Sequence, residues 1–450
     1  MLWSNIERCA EDTAVATLIT CLVSIRLTFT AIQRLVLRAN MEDTVAVVGS
    51  GIVGSALAAF LSEKKTYNRI LLIDRSISHV LGSTAYAPGF LGQFNQNTFL
   101  TQLAVDSLKD YDQFPDVFER TGGLELAATD AGISMLEERC KKANAAGISA
   151  SMLPKEDFPD FVPDFVSKDS FSQALYFPTD GVADPEKLCL IYRNIAREKG
   201  VTFLEANVKR ADVKDGAIHG LELEDGTFIR AGKVIFATGI WTASLTSSEL
   251  DLPIPTVPVA HPYVYTERAG NRRQSPFCRW PEAHVYARDH GDRYGLGSYD
   301  HAPIRINSLG VTASNEWSAA DFATTISHAV ALKVASSSQL SKLVKCKSSL
   351  YSSDESGERK VNGIFSVTPD GLPLLGPTPG VANCWLAAGI WITHAAGCAR
   401  LLGRMIQGED YDTGIASALD PARFVGSDAK ELEAKALRQY NDIYLSKRGT

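Results

Sequence analysis

Residues 44–54 read TVAVVGSGIVG, a β-branched run that ends in the spacing G-x-G-x-x-G. Such a run is typical of a buried parallel strand. The three glycines permit, in turn, a tight turn, a close approach of the backbone to a pyrophosphate, and close packing of a helix on the strand. Residues 55–64 follow with apolar side chains on one face, which predicts a helix whose N-terminus attracts phosphate groups.

A second predicted strand, residues 69–73, ends in Asp74, 20 residues after Gly54. A carboxylate there is placed to accept a hydrogen bond from a ribose hydroxyl, which favours FAD or NAD over NADP. Glycine-rich turns alone are common, but strand, glycines, helix, strand and acid in this order indicate dinucleotide binding. The residues predicted to bind the dinucleotide here are Gly49, Ser50, Gly51, Ile52, Val53, Gly54, Asp74 and Arg75.

The composition excludes several classes of function. Of the 450 residues, 45% are apolar and 22% are charged, and the formal net charge is −7. This negative balance argues against a nucleic-acid-binding protein. The 8 cysteines include no C-x-x-C pair, so we expect neither a disulfide scaffold nor a cysteine zinc site, and we predict no metal.

Residues 1–40 form an N-terminal extension of different character. No acidic residue occurs from Thr13 to Asn40, while Arg26, Arg34 and Arg38 alternate with aliphatic residues, as in mitochondrial presequences. Acidic residues nearer the start are atypical of such signals. Cytoplasmic and mitochondrial locations therefore both stay open.

Two further segments separate FAD from NAD. Residues 233–239 read KVIFATG and follow a hairpin with an Asp-Gly turn at 225–226. Upstream, a helix capped by Asp184 leads to a strand at 201–204 and then to Val208. This arrangement is similar to the second nucleotide-proximal strand of two-domain flavoproteins and is not expected in an NAD dehydrogenase. FAD is therefore the predicted cofactor.

The segments TPDGLPLLG (368–376) and AGIWITHAAG (388–397) make the resemblance specific. The first resembles the T-P-D-G-x-P-x-x-G segment of D-amino-acid-oxidase-type FAD-dependent oxidoreductases. The second resembles the segment that passes over the flavin ring in the same family. GSTAYAPG (82–89) and HVYARDHGDRYGLG (284–297) resemble the dimethylglycine oxidase/dehydrogenase and sarcosine dehydrogenase branch. The resemblance covers about residues 41–415. It implies further FAD contacts at Gly82, Ser83, Thr84, Tyr86, Ala87, Val208, Gly239, Trp241, Gly371, Trp391, Ile392, Thr393 and His394.

The resemblance implies an α/β fold, a two-domain flavoprotein with a Rossmann-like FAD-binding domain and an antiparallel-sheet substrate domain. The chain is expected to cross between the two domains several times. The expected division is an N-terminal extension (1–40), an FAD-binding domain in three parts (41–130, 181–250 and 361–415), a substrate domain in two parts (131–180 and 251–360), and a C-terminal tail (416–450).

Two departures from the family pattern bear on the chemistry. Relatives attach FAD through the histidine of a G-S-T-x-H arm, which is Tyr86 here, or through a cysteine that corresponds to about Gly363. We therefore predict non-covalent FAD, with tyrosyl attachment at Tyr86 as the alternative. The branch also carries a folate-binding half, whereas this chain ends in a predicted charged helix near 428–440. No folate domain is therefore expected.

The resemblance implies oxidation of the C–N bond of a small-molecule amine. A hydride equivalent passes from the α-carbon to flavin N5, water hydrolyses the imine, and O₂ or an electron-transfer acceptor takes the electrons. Residues 257–263 read VPVAHPY and match a P-x-A-H-x-Y segment whose histidine faces the substrate, and Tyr286 matches the tyrosine partner of that histidine. A histidine that titrates near neutrality suits the amine proton. His261 and Tyr286 are therefore the predicted catalytic residues.

Other polar residues of this region are interpreted as structural. The histidines His284, His290 and His301 lack metal-ligand spacing and are assigned to strands and turns. The arginines Arg272, Arg273 and Arg279 are assigned to a solvated loop, with attraction of an anionic substrate as the alternative.

Three functions stay open at this point. The first is an FAD-dependent oxidase or dehydrogenase for a secondary or tertiary amine resembling an N-methyl amino acid. The second keeps the fold but acts on an amine-containing natural product, alkaloid or peptide-derived. The third is a catalytically silent flavin-binding or assembly protein, against which the intact His261 and Tyr286 count. Bleaching of the flavin by an added amine separates the enzymes from the silent protein.

Overall fold

The computed structural model describes residues 43–245, 254–266, 275–315, 318–331 and 361–444. The predicted N-terminal extension (1–40) and the pair Arg272-Arg273 lie outside the described residues. Within these ranges, no helix has the length and apolar character needed to cross a membrane.

The first large sheet is built around the strand of residues 44–48. Its strands in spatial order are β20 (Leu374–Pro377), β21 (Cys384–Ala388), β13 (Lys233–Phe236), β1 (Thr44–Val48), β2 (Arg69–Asp74) and β9 (Thr202–Glu205). All neighbours pair in parallel except β20 and β21. Every residue of β1 is buried, as the β-branched run predicts for a central parallel strand.

Helices cover one face of this sheet. They are α1 (Ile52–Leu61), α2 (Thr98–Tyr111), α5 (Pro185–Glu198) and α7 (Ala395–Gln407). The first begins at Ile52 rather than at Ser55, because Gly51 already serves as its N-cap. This helix packs between α5 and α7 and buries Leu57 and Leu61 completely. Each buried leucine contributes about 1.5–3 kcal/mol to folding.

The second large sheet has nine strands among the described residues. In spatial order they are β18 (Ile304–Arg305), β14 (Val257–Tyr265), β17 (Tyr294–Ser298), β16 (Val285–Asp289), β15 (Phe277–Trp280), β5 (Gly123–Ala127), β7 (Gln173–Phe177) and β6 (Ser151–Met152), with β19 (Val361–Val367) also paired to β14. The pairs are antiparallel except β15 with β5. Three helices lie in sequence between strands of this sheet: α3 (Asp130–Ala145), α4 (Phe158–Phe161) and α6 (Ala319–Ala331).

The chain crosses between the two sheets as expected, although not at the expected residues. β5 and β19 lie in stretches predicted for the FAD-binding domain (41–130 and 361–415), yet both pair with strands of the second sheet. The division into two domains stays our proposal, with β5 and β19 assigned by their pairing to the substrate domain.

Two three-stranded sheets complete the β-structure of the described residues. One contains β10 (Val208–Lys214), β11 (Ala217–Leu223) and β12 (Phe228–Arg230), and the other contains β3 (Phe90–Leu91), β8 (Gly181–Ala183) and β4 (Phe118–Glu119). The predicted Asp-Gly turn joins β11 to β12. Gly226 has a φ of +81° there, a conformation that glycine adopts without strain.

The C-terminal stretch packs against both large sheets. It contains α8 (Thr413–Leu419) and α9 (Ala429–Asn441), the helix expected near 428–440. The Asp428 side chain caps α9 by accepting a hydrogen bond from the Glu431 backbone N–H at 2.8 Å. Leu432, Ala436 and Tyr440 form its buried face, and α9 packs against β14 and β19.

Candidate active site

A cavity of about 540 Å³ is lined by residues of both large sheets. At one end it is lined by the glycine-rich turn after β1, and at the other by residues of β14, β16 and β19. It opens beyond the carboxyl ends of β1, β2 and β13, the edge where open parallel sheets bind ligands. All the predicted cofactor-binding residues line it except Ser50, Gly54 and Gly371.

The glycine-rich turn has the geometry that the motif predicts. Gly49 has a φ of +101°, and a Cβ atom there would lie 2.4 Å from the Ala237 carbonyl oxygen. A Cβ at Gly54 would lie 1.9 Å from the Gly49 carbonyl oxygen, so the third glycine serves helix packing and does not reach the cavity. Gly51 faces the cavity at the N-terminus of α1.

The Asp74 carboxylate organises this turn as well as lining the cavity. One oxygen accepts a hydrogen bond from the Ser50 backbone N–H at 2.6 Å, and the other accepts from the Ser76 N–H at 3.0 Å. A carboxylate has about four lone-pair positions, so it can still accept from a ribose hydroxyl. Beside it, the Arg75 guanidinium lies 4.1 Å from the ring centroid of Trp241, a cation–π contact at the cavity wall.

Arg193, which the sequence analysis missed, supports the turn from behind. Its guanidinium is 2% exposed and donates two hydrogen bonds to the Ser50 carbonyl, at 3.0 and 2.7 Å. It also donates to the carbonyls of Ile77 and His79, at 2.7 and 3.2 Å. The available signal was its position on the apolar face of α5, four residues after the buried Cys189.

The arm at residues 82–89 connects the turn to the second sheet. The Thr84 hydroxyl accepts a hydrogen bond from the Ile52 backbone N–H at 3.2 Å, and the Ser83 hydroxyl donates to the Ile364 carbonyl at 2.7 Å. Tyr86 is buried at the cavity wall. Burial raises the pKa of its phenol, and hydrogen bonds with Ser314 and Thr312 oppose this rise.

The structure brings the two predicted catalytic residues together. His261 on β14 and Tyr286 on β16 both line the cavity, with 2.8 Å between His261 Nε2 and the Tyr286 hydroxyl oxygen. The His261 ring also stacks on Tyr299, with 4.3 Å between ring centroids. Burial, and to a smaller extent the neighbouring His301, lowers the pKa of His261 to about 3. This imidazole is therefore neutral at physiological pH, contrary to the expectation of a group titrating near neutrality.

Two residues behind His261 were assigned no role from the sequence. Tyr440 on α9 places its hydroxyl oxygen 2.8 Å from His261 Nδ1 and 2.9 Å from His301 Nε2. His301 is therefore part of a hydrogen-bonded chain that starts at the cavity and is not a turn residue alone. For Tyr440, the spacing of Leu432, Ala436 and Tyr440 on one helical face was the available signal.

Arg279 lies on β15 at the cavity wall, not in a solvated loop. Its side chain is 12% exposed and pairs with Glu125 at 3.2 Å, while Arg139 pairs with the same carboxylate at 2.6 Å. Burial raises the pKa of nearby Asp180 to about 7, although Arg279 opposes this rise. Arg279 and Arg139 thus face two acidic side chains, and burial disfavours the ionised form of one of them, Asp180.

The TPDG and AGIWITHAAG segments contribute differently from each other. Gly371 lies in a turn next to α9, and Asp370 in the same turn accepts a hydrogen bond from Arg423 Nε at 2.8 Å. The predicted role of Gly371 at the cofactor thus has no support in the lining of the cavity. Trp391 and His394 do line it, and burial lowers the pKa of His394 to about 4.

These observations fit an extended flavin dinucleotide. The glycines of the turn leave room for a pyrophosphate, the N-terminus of α1 lies at the same end of the cavity, and Asp74 lines the cavity beside them. The other end of the cavity is aromatic and apolar, as a flavin ring requires. In the described part of the chain, no three His, Cys, Asp or Glu side chains converge as a metal site would need.

Comparison with known proteins finds two mitochondrial dehydrogenases whose sequences are similar to this chain. Mitochondrial dimethylglycine dehydrogenase of Rattus norvegicus is 26% identical over 422 residues, which cover 89% of this chain and 47% of that protein. Mitochondrial sarcosine dehydrogenase of Mus musculus is 25% identical over 275 residues, which cover 58% of this chain and 29% of that protein. The chain thus spans about half or less of the length of these relatives.

A solved structure supports the fold independently of these relatives. L-proline dehydrogenase from P. horikoshii superimposes with a TM-score of 0.72 at 20% identity, covering 85% of this chain and 98% of that one. At this identity the likeness concerns the fold alone. The profile of the family described as FAD dependent oxidoreductase (DAO) matches residues 44–405. The chain therefore belongs to this family of FAD-dependent oxidoreductases.

Proposed function

We propose that the protein oxidises the C–N bond of a secondary or tertiary amine that resembles an N-methyl amino acid. The family and its dehydrogenase relatives support FAD-dependent oxidation of amine or amino-acid C–N bonds. The observation that carries the finer proposal is the His261–Tyr286 pair, joined at 2.8 Å in the same cavity as the glycine-rich turn. In this proposal the pair takes the proton from the amine nitrogen before the α-carbon is oxidised.

The chain's own residues prepare the amine for oxidation. FAD, held by the residues of the glycine-rich turn and Asp74, would supply the acceptor for the hydride equivalent from the α-carbon. Tyr286 receives the amine proton, because its oxygen lies at the cavity wall and its own proton has an acceptor in His261. The rings of Tyr299 and Phe365 pack around His261 and exclude water from this pair. An uncharged amine is the reactive form, so this proton removal controls the rate.

Arg279 supports a substrate that carries a carboxylate. Its guanidinium lines the cavity and shares the Glu125 carboxylate with Arg139, so two guanidinium groups lie beside one carboxylate where an anion from the cavity would bind. A guanidinium pairs with a carboxylate through two hydrogen bonds and so fixes the orientation of the substrate. This favours an N-methyl amino acid over an amine without an acidic group.

Non-covalent FAD is part of the proposal. Tyr86 occupies the position of the attachment histidine, and its buried, hydrogen-bonded phenol is held in the neutral form. The FAD contacts at the lining residues and the final electron acceptor, O₂ or an electron-transfer partner, belong to the same proposal.

Anaerobic mixing of the purified yellow protein with candidate amines tests the function. We expect sarcosine and N,N-dimethylglycine to bleach the flavin stoichiometrically, and Tyr286→Phe to slow the bleaching by about 10²-fold. Bleaching only by larger amines would favour the natural-product enzyme. A protein that binds FAD but is bleached by no amine would be the silent flavoprotein.

A further inference from the structure

Four side chains form a continuous hydrogen-bonded chain that leads away from the cavity. Tyr286 lies 2.8 Å from His261, His261 lies 2.8 Å from Tyr440, and Tyr440 lies 2.9 Å from His301. Tyr286 and His261 line the cavity, whereas Tyr440 and His301 lie behind them. His301 is partly exposed to solvent. The chain therefore connects the substrate cavity to the protein surface through protein groups alone.

The far end of the chain determines the direction of every hydrogen bond. His301 Nδ1 lies 2.8 Å from the Ala302 carbonyl oxygen, and a carbonyl only accepts, so Nδ1 carries the proton. In a neutral imidazole, Nε2 of His301 then accepts from the Tyr440 hydroxyl. Tyr440 has one proton, so its oxygen accepts from Nδ1–H of His261, and Nε2 of His261 accepts from the Tyr286 hydroxyl.

We propose that Tyr440 and His301 are relay residues that conduct the substrate's amine proton from Tyr286 through His261 to the solvent. This inference rests on the proposed function, because the amine supplies the proton. The orientation derived above is the one that outward transfer needs, since each group donates toward the surface. The Tyr286 oxygen, whose proton is directed at His261, meets the substrate as an acceptor.

The proton balance closes over five transfers. The substrate N–H bond breaks and a new O–H bond forms on Tyr286, whose original proton passes to Nε2 of His261. The Nδ1 proton of His261 passes to Tyr440, and the Tyr440 proton passes to Nε2 of His301. The positive charge of the ammonium group is thereby transferred to His301, which then gives a proton to water.

The burial of His261 and Tyr440 explains why neither side chain retains the positive charge. His261 is buried and neutral, and burial raises the pKa of Tyr440 well above its usual range. Neither group holds a charge at neutral pH, so both serve as conductors and not as the resting base. His301, at the partly exposed end, is the first group of the hydrogen-bonded chain that water reaches.

The hydrogen-bond direction can be read without any substrate. In the FAD-bound protein with ¹⁵N-labelled histidine rings, we expect two-dimensional NMR to show His261 and His301 both as Nδ1–H tautomers. Tyr440→Phe and His301→Gln assign the two signals by shifting or removing them. An Nε2–H tautomer at His261 would mean that the chain points inward and would overturn the proposal, whichever amine the enzyme uses.

Flavin reduction provides the kinetic test. Tyr440→Phe should slow reduction by the amine about tenfold or more and change its solvent isotope effect, with little change in amine affinity. Tyr67→Phe is the matched control, since it removes a tyrosine hydroxyl bonded to the Ile406 carbonyl at 2.7 Å far from the cavity. His301→Ala should be slow in dilute buffer and faster as imidazole is added at constant pH.

The outcomes separate the relay from the proposed function. If wild-type protein is reduced by amines but Tyr440→Phe behaves like Tyr67→Phe, the relay is refuted while the function stands. If no amine reduces the wild type, the proposed function fails, and the tautomer measurement still decides the direction of the chain. Slow reduction of His301→Ala that imidazole does not restore would also contradict proton exit at His301.

Discussion

Arg193 stabilises the glycine-rich turn, and replacing it with methionine removes its donors while keeping an apolar stem. The guanidinium donates four hydrogen bonds, at 2.7–3.2 Å, to the carbonyls of Ser50, Ile77 and His79. Hydrogen bonds from charged groups contribute about 1.5–3 kcal/mol each. Ser50 keeps the Ser55 hydroxyl at 2.9 Å, so part of the loss is recovered. We expect the free energy of unfolding of the apoprotein to fall by about 3 kcal/mol.

The same change should weaken FAD binding, because the turn then no longer holds its backbone N–H groups toward the pyrophosphate. We expect the FAD dissociation constant to rise about tenfold or more, which corresponds to about 1.4 kcal/mol. Denaturant titration and FAD fluorescence measure the two effects. Arg197→Met on the same helix, whose guanidinium stacks over Phe203 at 4.5 Å, is the control and should lose less than about 1 kcal/mol. Equal behaviour of the two variants would refute the role assigned to Arg193.

Three other predictions follow from the site. Burial lowers the pKa of His394 to about 4, so the unfolded chain, with a histidine pKa near about 6.5, binds the proton more readily. Protonation of His394 should therefore lower the free energy of unfolding by about 2 kcal/mol between pH 7 and pH 5. If His394→Gln lost as much stability over this pH range as the wild type, this prediction would be contradicted. Acid precipitation of the wild type should release FAD into the supernatant. If the yellow flavin colour stayed in the pellet of the wild type but not in that of Tyr86→Phe, FAD would instead be covalently linked to Tyr86. Arg279→Met should weaken the binding of N-methyl amino acids about tenfold or more, without affecting amines that lack a carboxylate; equal weakening of both classes in equilibrium titrations would exclude the carboxylate contact.

The glycine-rich turn could be predicted because its requirements are local. Gly49 needs a positive φ and Gly54 needs room for a carbonyl, and both needs follow from a strand that turns at once into a helix. His261 and Tyr286 were found through resemblance to a family segment, and their contact at 2.8 Å required the pairing of β14, β17 and β16. Gly371 shows the limit of such resemblance, since its turn lies outside the cavity lining.

The hydrogen-bonded chain that continues from His261 to Tyr440 and His301 could not be predicted from the sequence, for two physical reasons. Tyr440 and His261 are 179 residues apart, and their contact depends on α9 packing against β14 and β19, which no periodicity in either segment specifies. Composition indicated only a charged helix. The direction of the chain depends on the Ala302 carbonyl, and a carbonyl has no signature in a sequence because every residue carries one. The residue types alone allow His261 to be a base, an acid or a conductor. Only the acceptor at the far end makes it a conductor toward the surface.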